Sequence, residues 1–272
     1  MTDTEQPEQP SGVAQMRMAS AAAHRLHWAA DLMTLPIHRL VYPLLTSALL
    51  ASLGCAAEEV HDADFAVTTP AQRIVAFGAA HGDFVDGALN VTHRLTYDSE
   101  GICPKLTTDG DKRILEGGCE RGGIRYDGKA TLVVGKGDSD LSASWDQFTV
   151  VEGGKRHRLN GTAHRRGDGE TRRTFAALEL EDGGVVAHLD VELACDGARQ
   201  CTPTVGSTLT LDGVGTADVA GSWRGNHETN GGGTVELRGK NTLAVDLAQE
   251  SAGRCYATSI DGVAIAPVCL GE

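Results

Sequence analysis

Apolar and polar residues alternate along several stretches of the chain, a pattern typical of β-strands with one buried face. In residues 185–193 every second position is apolar, and the same alternation predicts a strand over residues 89–97. Shorter runs predict further strands at 73–77, 129–134, 145–151, 174–180, 207–211, 234–238 and 242–247.

Asp-Gly pairs separate many of these runs and predict tight hairpins, because glycine supplies the positive φ that two-residue turns require. The pairs are Asp109-Gly110, Asp127-Gly128, Asp182-Gly183, Asp212-Gly213 and Asp261-Gly262. We therefore predict one all-β domain over residues 70–272, with about ten to twelve antiparallel strands. An antiparallel sandwich, an open barrel and a meander all remain compatible with this number.

The composition changes this picture in two ways. The chain has 272 residues with 34 glycines and only 4% aromatic residues, so we expect many turns and small side chains. Its formal net charge of -13 gives an acidic surface that repels phosphate backbones. Nucleic acid is therefore not expected as a partner.

Residues 40–54 (LVYPLLTSALLASLG) form an uncharged apolar run that follows Arg39 and ends at Cys55. The run is too short to span a bilayer and is typical of a secretory signal peptide. Its last residues, ASLGC, resemble the lipobox of bacterial lipoproteins, in which the leader is cleaved before a cysteine that carries a diacylglyceryl group. The commonest lipobox has leucine where Ser52 stands and a small residue where Leu53 stands, and the looser family pattern admits both.

The resemblance implies that Cys55 is lipidated and becomes the first residue of the mature protein. We accordingly divide the chain into an upstream extension (1–32), a signal peptide starting at Met33 (33–54), a lipidated tether (55–69) and the β domain (70–272). Lipoproteins retained at the inner membrane tend to carry aspartate directly after the lipidated cysteine. This chain has Ala56 there, which favours anchoring in the outer membrane, on either its periplasmic or its surface face. A plain signal peptide and a buried core segment are the alternatives.

The six remaining cysteines also indicate export, since an even number in an exported chain predicts disulfides. Short loops close most easily, so we predict pairing between neighbours. The predicted pairs are Cys103 with Cys119, Cys195 with Cys201, and Cys255 with Cys269. Zinc-binding spacing is absent, and no metal or cofactor is expected.

Residues 155–166 (KRHRLNGTAHRR) form the one strongly basic stretch in an acidic chain. With Arg172 and Arg173 it predicts a basic hairpin, able to hold an anionic glycan, a lipid headgroup or an acidic envelope partner through charge-assisted hydrogen bonds. The candidate anion-binding residues are Lys155, Arg156, Arg158, Arg165 and Arg166. A solvated outer face is the alternative interpretation.

Other candidate sites have ordinary structural explanations. Asp62 with Asp64 and Asp138 with Asp140 lack the remainder of a calcium loop and are interpreted as turn residues. The largest aromatic residues are interpreted as core residues in preference to a sugar-stacking platform: Trp145, Trp223 and Tyr256.

The sequence contains no catalytic motif, so no catalytic residues are assigned and an enzyme is not expected. The leading hypothesis is a lipid-anchored cell-envelope protein with a binding or structural β domain. One alternative is a secreted hydrolase whose site gathers histidines and carboxylates from separate strands, the candidates being His81, His93, His157, His164 and His188. The other is a carrier that holds an apolar ligand inside a β-barrel, which requires an unfilled interior lined by apolar side chains.

Overall fold

A computed structural model describes residues 60–98, 102–135, 140–167, 171–224, 232–251 and 254–270. A short 3-10 helix (Phe65–Val67) is followed by helices α1 (Pro70–His81) and α2 (Asp83–Asp98). Within these ranges fifteen strands follow: β1 (Lys105–Asp109), β2 (Lys112–Glu116), β3 (Cys119–Arg121), β4 (Ile124–Val134), β5 (Leu141–Glu152), β6 (Lys155–Gly167), β7 (Arg172–Asp182), β8 (Val185–Cys195), β9 (Gln200–Pro203), β10 (Thr208–Leu211), β11 (Gly215–Arg224), β12 (Gly233–Arg238), β13 (Thr242–Ser251), β14 (Cys255–Ile260) and β15 (Val263–Cys269).

All of these strands belong to one antiparallel sheet, which confirms the all-β prediction and selects a meander among its forms. The main path runs β1-β2-β4-β5-β6-β7-β8-β10-β11-β12-β13-β14-β15. Strand β3 pairs with β4, and β9 bridges β8 and β11.

Both helices pack against the same sheet, where the core lies. Helix α1 contacts β8, β10, β12 and β15, while α2 contacts β2, β4, β5 and β6. The sheet therefore curls around the helical pair. Small residues occupy several buried positions and allow backbones to approach closely, namely Ala130, Ala143, Ala163, Ala176, Ala187 and Ala217.

The two predicted strands before residue 98 are wrong, because residues 73–77 and 89–97 lie in helices. The buried residues of α2 are Val85, Leu89, Thr92 and Thr96, which recur at the spacing of one helical face. Two of these four are threonines, so the buried face of α2 is only weakly visible as a run of apolar residues in the sequence.

Helix α1 begins with a complete capping box. The Thr69 side chain accepts a hydrogen bond from the Gln72 backbone, the Gln72 side chain accepts one from the Thr69 backbone, and Pro70 occupies the first turn. The helix ends at Gly82, whose φ of 93° lies in the left-handed region that glycine adopts without strain. Helix α2 starts at the next residue.

Residues 60–69, which the sequence assigned to a tether, pack against the sheet. Ala63 and Phe65 are fully buried. The Asp64 carboxylate caps the short 3-10 helix and accepts hydrogen bonds from Lys240 and Asn241, which lower the pKa of this carboxyl. The β domain therefore begins upstream of Pro70.

Four of the five Asp-Gly turns connect consecutive strands as predicted: Asp109-Gly110, Asp182-Gly183, Asp212-Gly213 and Asp261-Gly262. The fifth prediction is wrong, because Asp127-Gly128 lies inside β4 at an irregularity in the pairing with β5. A Cβ on Gly128 would lie 2.2 Å from the Gln147 carbonyl oxygen, so glycine is required there for the close approach of two backbones.

The predicted cysteine pairing is confirmed for all three pairs. Cys103 joins Cys119, which ties the segment before β1 to β3. The other two bonds each link neighbouring strands at directly paired positions, Cys195 with Cys201 and Cys255 with Cys269.

Candidate functional site

A cleft of about 400 Å³ lies between α2 and strands β5, β6 and β7. Two rows of directly paired strand residues form its sheet side. The first row is apolar (Phe148, Leu159, Leu180), and the second becomes polar (Val150, His157, Asp182). Polarity therefore increases step by step from the inner end of the cleft toward its rim.

Helix α2 supplies the opposite wall through Phe84, Gly87, Ala88 and Val91. The Phe84 ring packs over Gly78 of α1, where a Cβ would lie 2.7 Å from the ring. An added Cβ on Gly87 would meet no atom within 4 Å. Val91 is 48% exposed, so this apolar wall is open to solvent.

At the inner end of the cleft α2 is fixed to the sheet by a buried hydrogen bond. The indole Nε1 of Trp145 donates to Thr92 Oγ1 over 3.0 Å, and both side chains are almost fully buried. Asp86 provides a second attachment, since its carboxylate lies 3.3 Å from Arg165 and 3.2 Å from Arg172. These contacts hold the helix in place, so the cleft is preformed.

The rim of the cleft carries an imidazole and three carboxylates. His157 Nδ1 lies 2.8 Å from an Asp182 carboxylate oxygen, and Glu152 occupies the next position outward on β5. Asp83, the first residue of α2, lies 3.0 Å from His81 Nδ1 and 2.9 Å from Arg254. The cleft thus combines an apolar interior with a polar edge rich in hydrogen-bond acceptors.

The histidines named from the sequence are dispersed over the fold. His81 stacks on Trp223 near Phe77, whereas His188 lies beside Glu179 and Asp212 at the surface. Among the described lining residues, the cleft under α2 contains only His157 of the five. The described part of the chain also contains no group of three side chains able to hold a metal ion.

The three aromatic residues weighed as a sugar platform are core residues, as predicted. Trp145, Trp223 and Tyr256 are 3%, 0% and 7% exposed. They therefore offer no open face for stacking.

The basic segment lies mainly on strand β6, where alternation divides it between two faces. Arg156 and Arg158 lie on the outer face and pair with Glu179 and Glu181. Arg165 points to the inner face and contacts Asp86, while Lys155 lines a separate cleft near the start of α1. The neighbouring carboxylates offset much of the positive charge of this segment.

Arg166 lies in a third cleft, of about 510 Å³, on the outer face. There His164 stacks on Phe175 with the ring centroids 4.8 Å apart. Arg173 also lines this cleft and lies 3.4 Å from Glu192. Binding of an anionic partner here stays a prediction.

Among the described members of the aspartate pairs, Asp64 has the local role predicted for a turn residue, because it caps the 3-10 helix, whereas Asp62 and Asp140 bond to distant segments. Asp62 accepts a hydrogen bond from the Thr216 backbone, and Asp140 accepts one from the Gly167 backbone. Asp138 lies outside the described residues.

The predicted leader falls outside the described residues, as do the signal peptide predicted at 33–54 and Cys55. Within the ranges that are described, neither helix has both the length and the apolar character to cross a bilayer.

Comparisons with protein-family models, with curated proteins and with solved structures found no match to this chain. Inferences about its function therefore depend on its own residues and their geometry.

Proposed function

We propose that this chain is a lipid-anchored protein of the bacterial cell envelope whose β domain binds a small apolar molecule in the cleft under α2. The observation that carries the proposal is the preformed cleft itself, with apolar side chains on both walls. Its volume lies in the range of small-molecule sites, which are largely apolar with a few placed polar groups.

The envelope location rests on two independent features of the sequence. The segment ending at Cys55 resembles a lipobox, and three disulfides are typical of oxidising compartments outside the cytoplasm. Ala56 favours the outer membrane as the site of anchoring. A carrier at this position would hold an apolar molecule away from water beside the membrane.

The anchor is tested by the mass of the protein extracted from membranes of its own producing cell. We expect the mass of residues 55–272 plus a diacylglyceryl group, less six hydrogens for three disulfides. Replacement Cys55→Ser should release the protein from the membrane fraction. Continued anchoring of that variant would overturn the lipobox assignment.

The cleft is tested by filling it from the helix side. Gly87 faces open space in α2, so Gly87→Phe introduces a ring into the cleft without a clash at Cβ. The assay is fluorescence of diphenylhexatriene added to the full-length Cys55→Ser chain. We expect saturable binding that persists in the matched control Gly87→Ala and is lost in Gly87→Phe.

Equal binding by the Phe and Ala variants would refute the cleft as the binding site. Circular dichroism of both variants before titration checks that they are folded. A loss of binding in a folded Gly87→Phe variant is then attributed to the ring in the cleft.

A further inference from the structure

We infer that the ligand of this cleft is a cationic amphiphile, an apolar chain that carries a protonated amine. This inference rests on the proposed function and adds the chemistry of the ligand's head. Its basis is the direction of the hydrogen bonds at the rim and the order of residues along the paired strands.

The Asp182 carboxylate at the rim is held by His157. A carboxylate only accepts hydrogen bonds, so Nδ1 of His157 must donate to Asp182, 2.8 Å away. A carboxylate has two oxygens with about four acceptor sites, so Asp182 can accept further hydrogen bonds from a bound molecule.

The remaining charged groups that line the cleft are also acceptors. Glu152 and Asp83 are carboxylates, and the described lining residues include neither lysine nor arginine. Two cations stand beside these carboxylates without lining the cleft: Lys155 is directly opposite Glu152 in the register of β5 with β6, and Arg254, just before β14, lies 2.9 Å from Asp83. A carboxylate or phosphate head would face this row of acceptors without a charged donor.

An ammonium group fits the same surroundings, because it has three donors and a positive charge. Hydrogen bonds from a charged donor to a carboxylate are about twice as strong as neutral ones. The row Phe148–Leu159–Leu180 lies one step deeper and would cover an alkyl chain that extends inward from the amine. The ligand would therefore lie with its head at the rim and its chain along α2.

The test compares three probes of equal chain length: decylamine, decanol and decanoate. Each displaces diphenylhexatriene from the full-length Cys55→Ser chain at neutral pH. We expect decylamine to bind at least about tenfold more tightly than decanoate, with decanol between them. The difference should shrink as salt is added, since the head is near the surface.

Two variants assign the preference to the rim. Asp182→Asn and Glu152→Gln should each weaken decylamine severalfold and leave decanol unchanged. The matched control is Glu181→Gln, which removes the same charge one residue away but on the outer face, where Glu181 pairs with arginines. This control should leave the affinity of all three probes unchanged.

The outcomes separate the two proposals. Equal affinities for the three heads, or tightest binding of decanoate, would overturn the cationic ligand and leave the apolar cleft standing. Absence of binding by every probe, or binding that Gly87→Phe does not reduce, would overturn the proposed function.

Discussion

Replacing Thr92 by valine should destabilise the domain, because it removes the acceptor for a buried indole. Trp145 and Thr92 are 3% and 1% exposed, so water cannot replace the lost partner of the indole N–H. Valine keeps the size and branching of threonine, which leaves the packing at this position nearly unchanged. The effect therefore isolates one hydrogen bond between α2 and the sheet.

The magnitude follows from the cost of leaving a buried donor without a partner, about 1–3 kcal/mol. In a domain of this size each kcal/mol shifts the melting temperature by roughly 2–4 °C. We thus expect Thr92→Val to lower the melting temperature by roughly 2–12 °C.

The assay is a double-mutant cycle with Trp145→Phe, followed by thermal and denaturant unfolding with the disulfides intact. In the Trp145→Phe background the indole donor is gone, so Thr92→Val should cost less than about 0.5 kcal/mol. The control Thr92→Ser retains the acceptor. Equal costs of Thr92→Val in both backgrounds would refute the argument.

Further predictions test the fold. Gly87→Ala should stabilise the domain by about 0.5–1 kcal/mol, since Gly87 lies in a helix with open space around it. Gly161→Ala should instead destabilise the domain by more than about 1 kcal/mol, because φ of Gly161 is +121° and a Cβ would lie 2.4 Å from the Ala177 carbonyl oxygen. Denaturant unfolding of the Gly87→Ala and Gly161→Ala variants measures both effects. The lowered pKa of Asp64 means that its contribution to stability is present above the ordinary carboxyl range and lost as the pH falls below it. The free energy of unfolding, measured across the acid range, should depend less on pH in Asp64→Asn than in the parent protein. An identical pH profile in the two proteins would refute this role of Asp64. Removing the bond between Cys103 and Cys119 with paired alanines should cost about 3 kcal/mol, measured by denaturant unfolding against an oxidised parent.

Several strands after residue 124 were predictable because their inward positions carry apolar side chains at every second residue, whereas the largely exposed β15 lacks this alternation. Strand β8 shows this most clearly, since Ala187, Leu189, Val191 and Leu193 are all buried. The cysteine pairs were predictable for a related reason, because neighbours along a meander are also neighbours in the sheet. Hydrogen bonding between adjacent strands places Cys195 beside Cys201 and Cys255 beside Cys269, whereas Cys103 precedes β1 and is joined to β3 outside strand pairing.

Helix α1 carried a signal that the alternation concealed. Thr69 and Gln72 have the spacing of a capping box, and Pro70 stands where helices accept proline. This signature favours a helix start, whereas the β-branched residues that follow, Ile74 and Val75, favour a strand. The helix forms, and its buried residues pack against the sheet.

The cleft could not be predicted, because its parts come from α2 and three strands that are distant in sequence. His157 and Asp182 face each other only through the register of β6 with β7. The basic segment misleads in the opposite way, since residues adjacent in sequence, such as Arg165 and Arg166, lie on opposite faces of β6. Register and alternation, and not local sequence, determine which charges meet.

The wrong strand at 89–97 and the existence of the cleft have one cause. Helix α2 carries two apolar stripes: Val85 and Leu89 face the core, whereas Phe84, Ala88 and Val91 line the cleft. Leu89 of the first stripe and Val91 of the second lie two positions apart, so the start of residues 89–97 alternates as a strand would. A surface helix needs only one apolar stripe to pack against its core. The second stripe is open to solvent at Val91 and would be covered by the proposed ligand, so a residue that contributed to the wrong strand prediction also belongs to the proposed site.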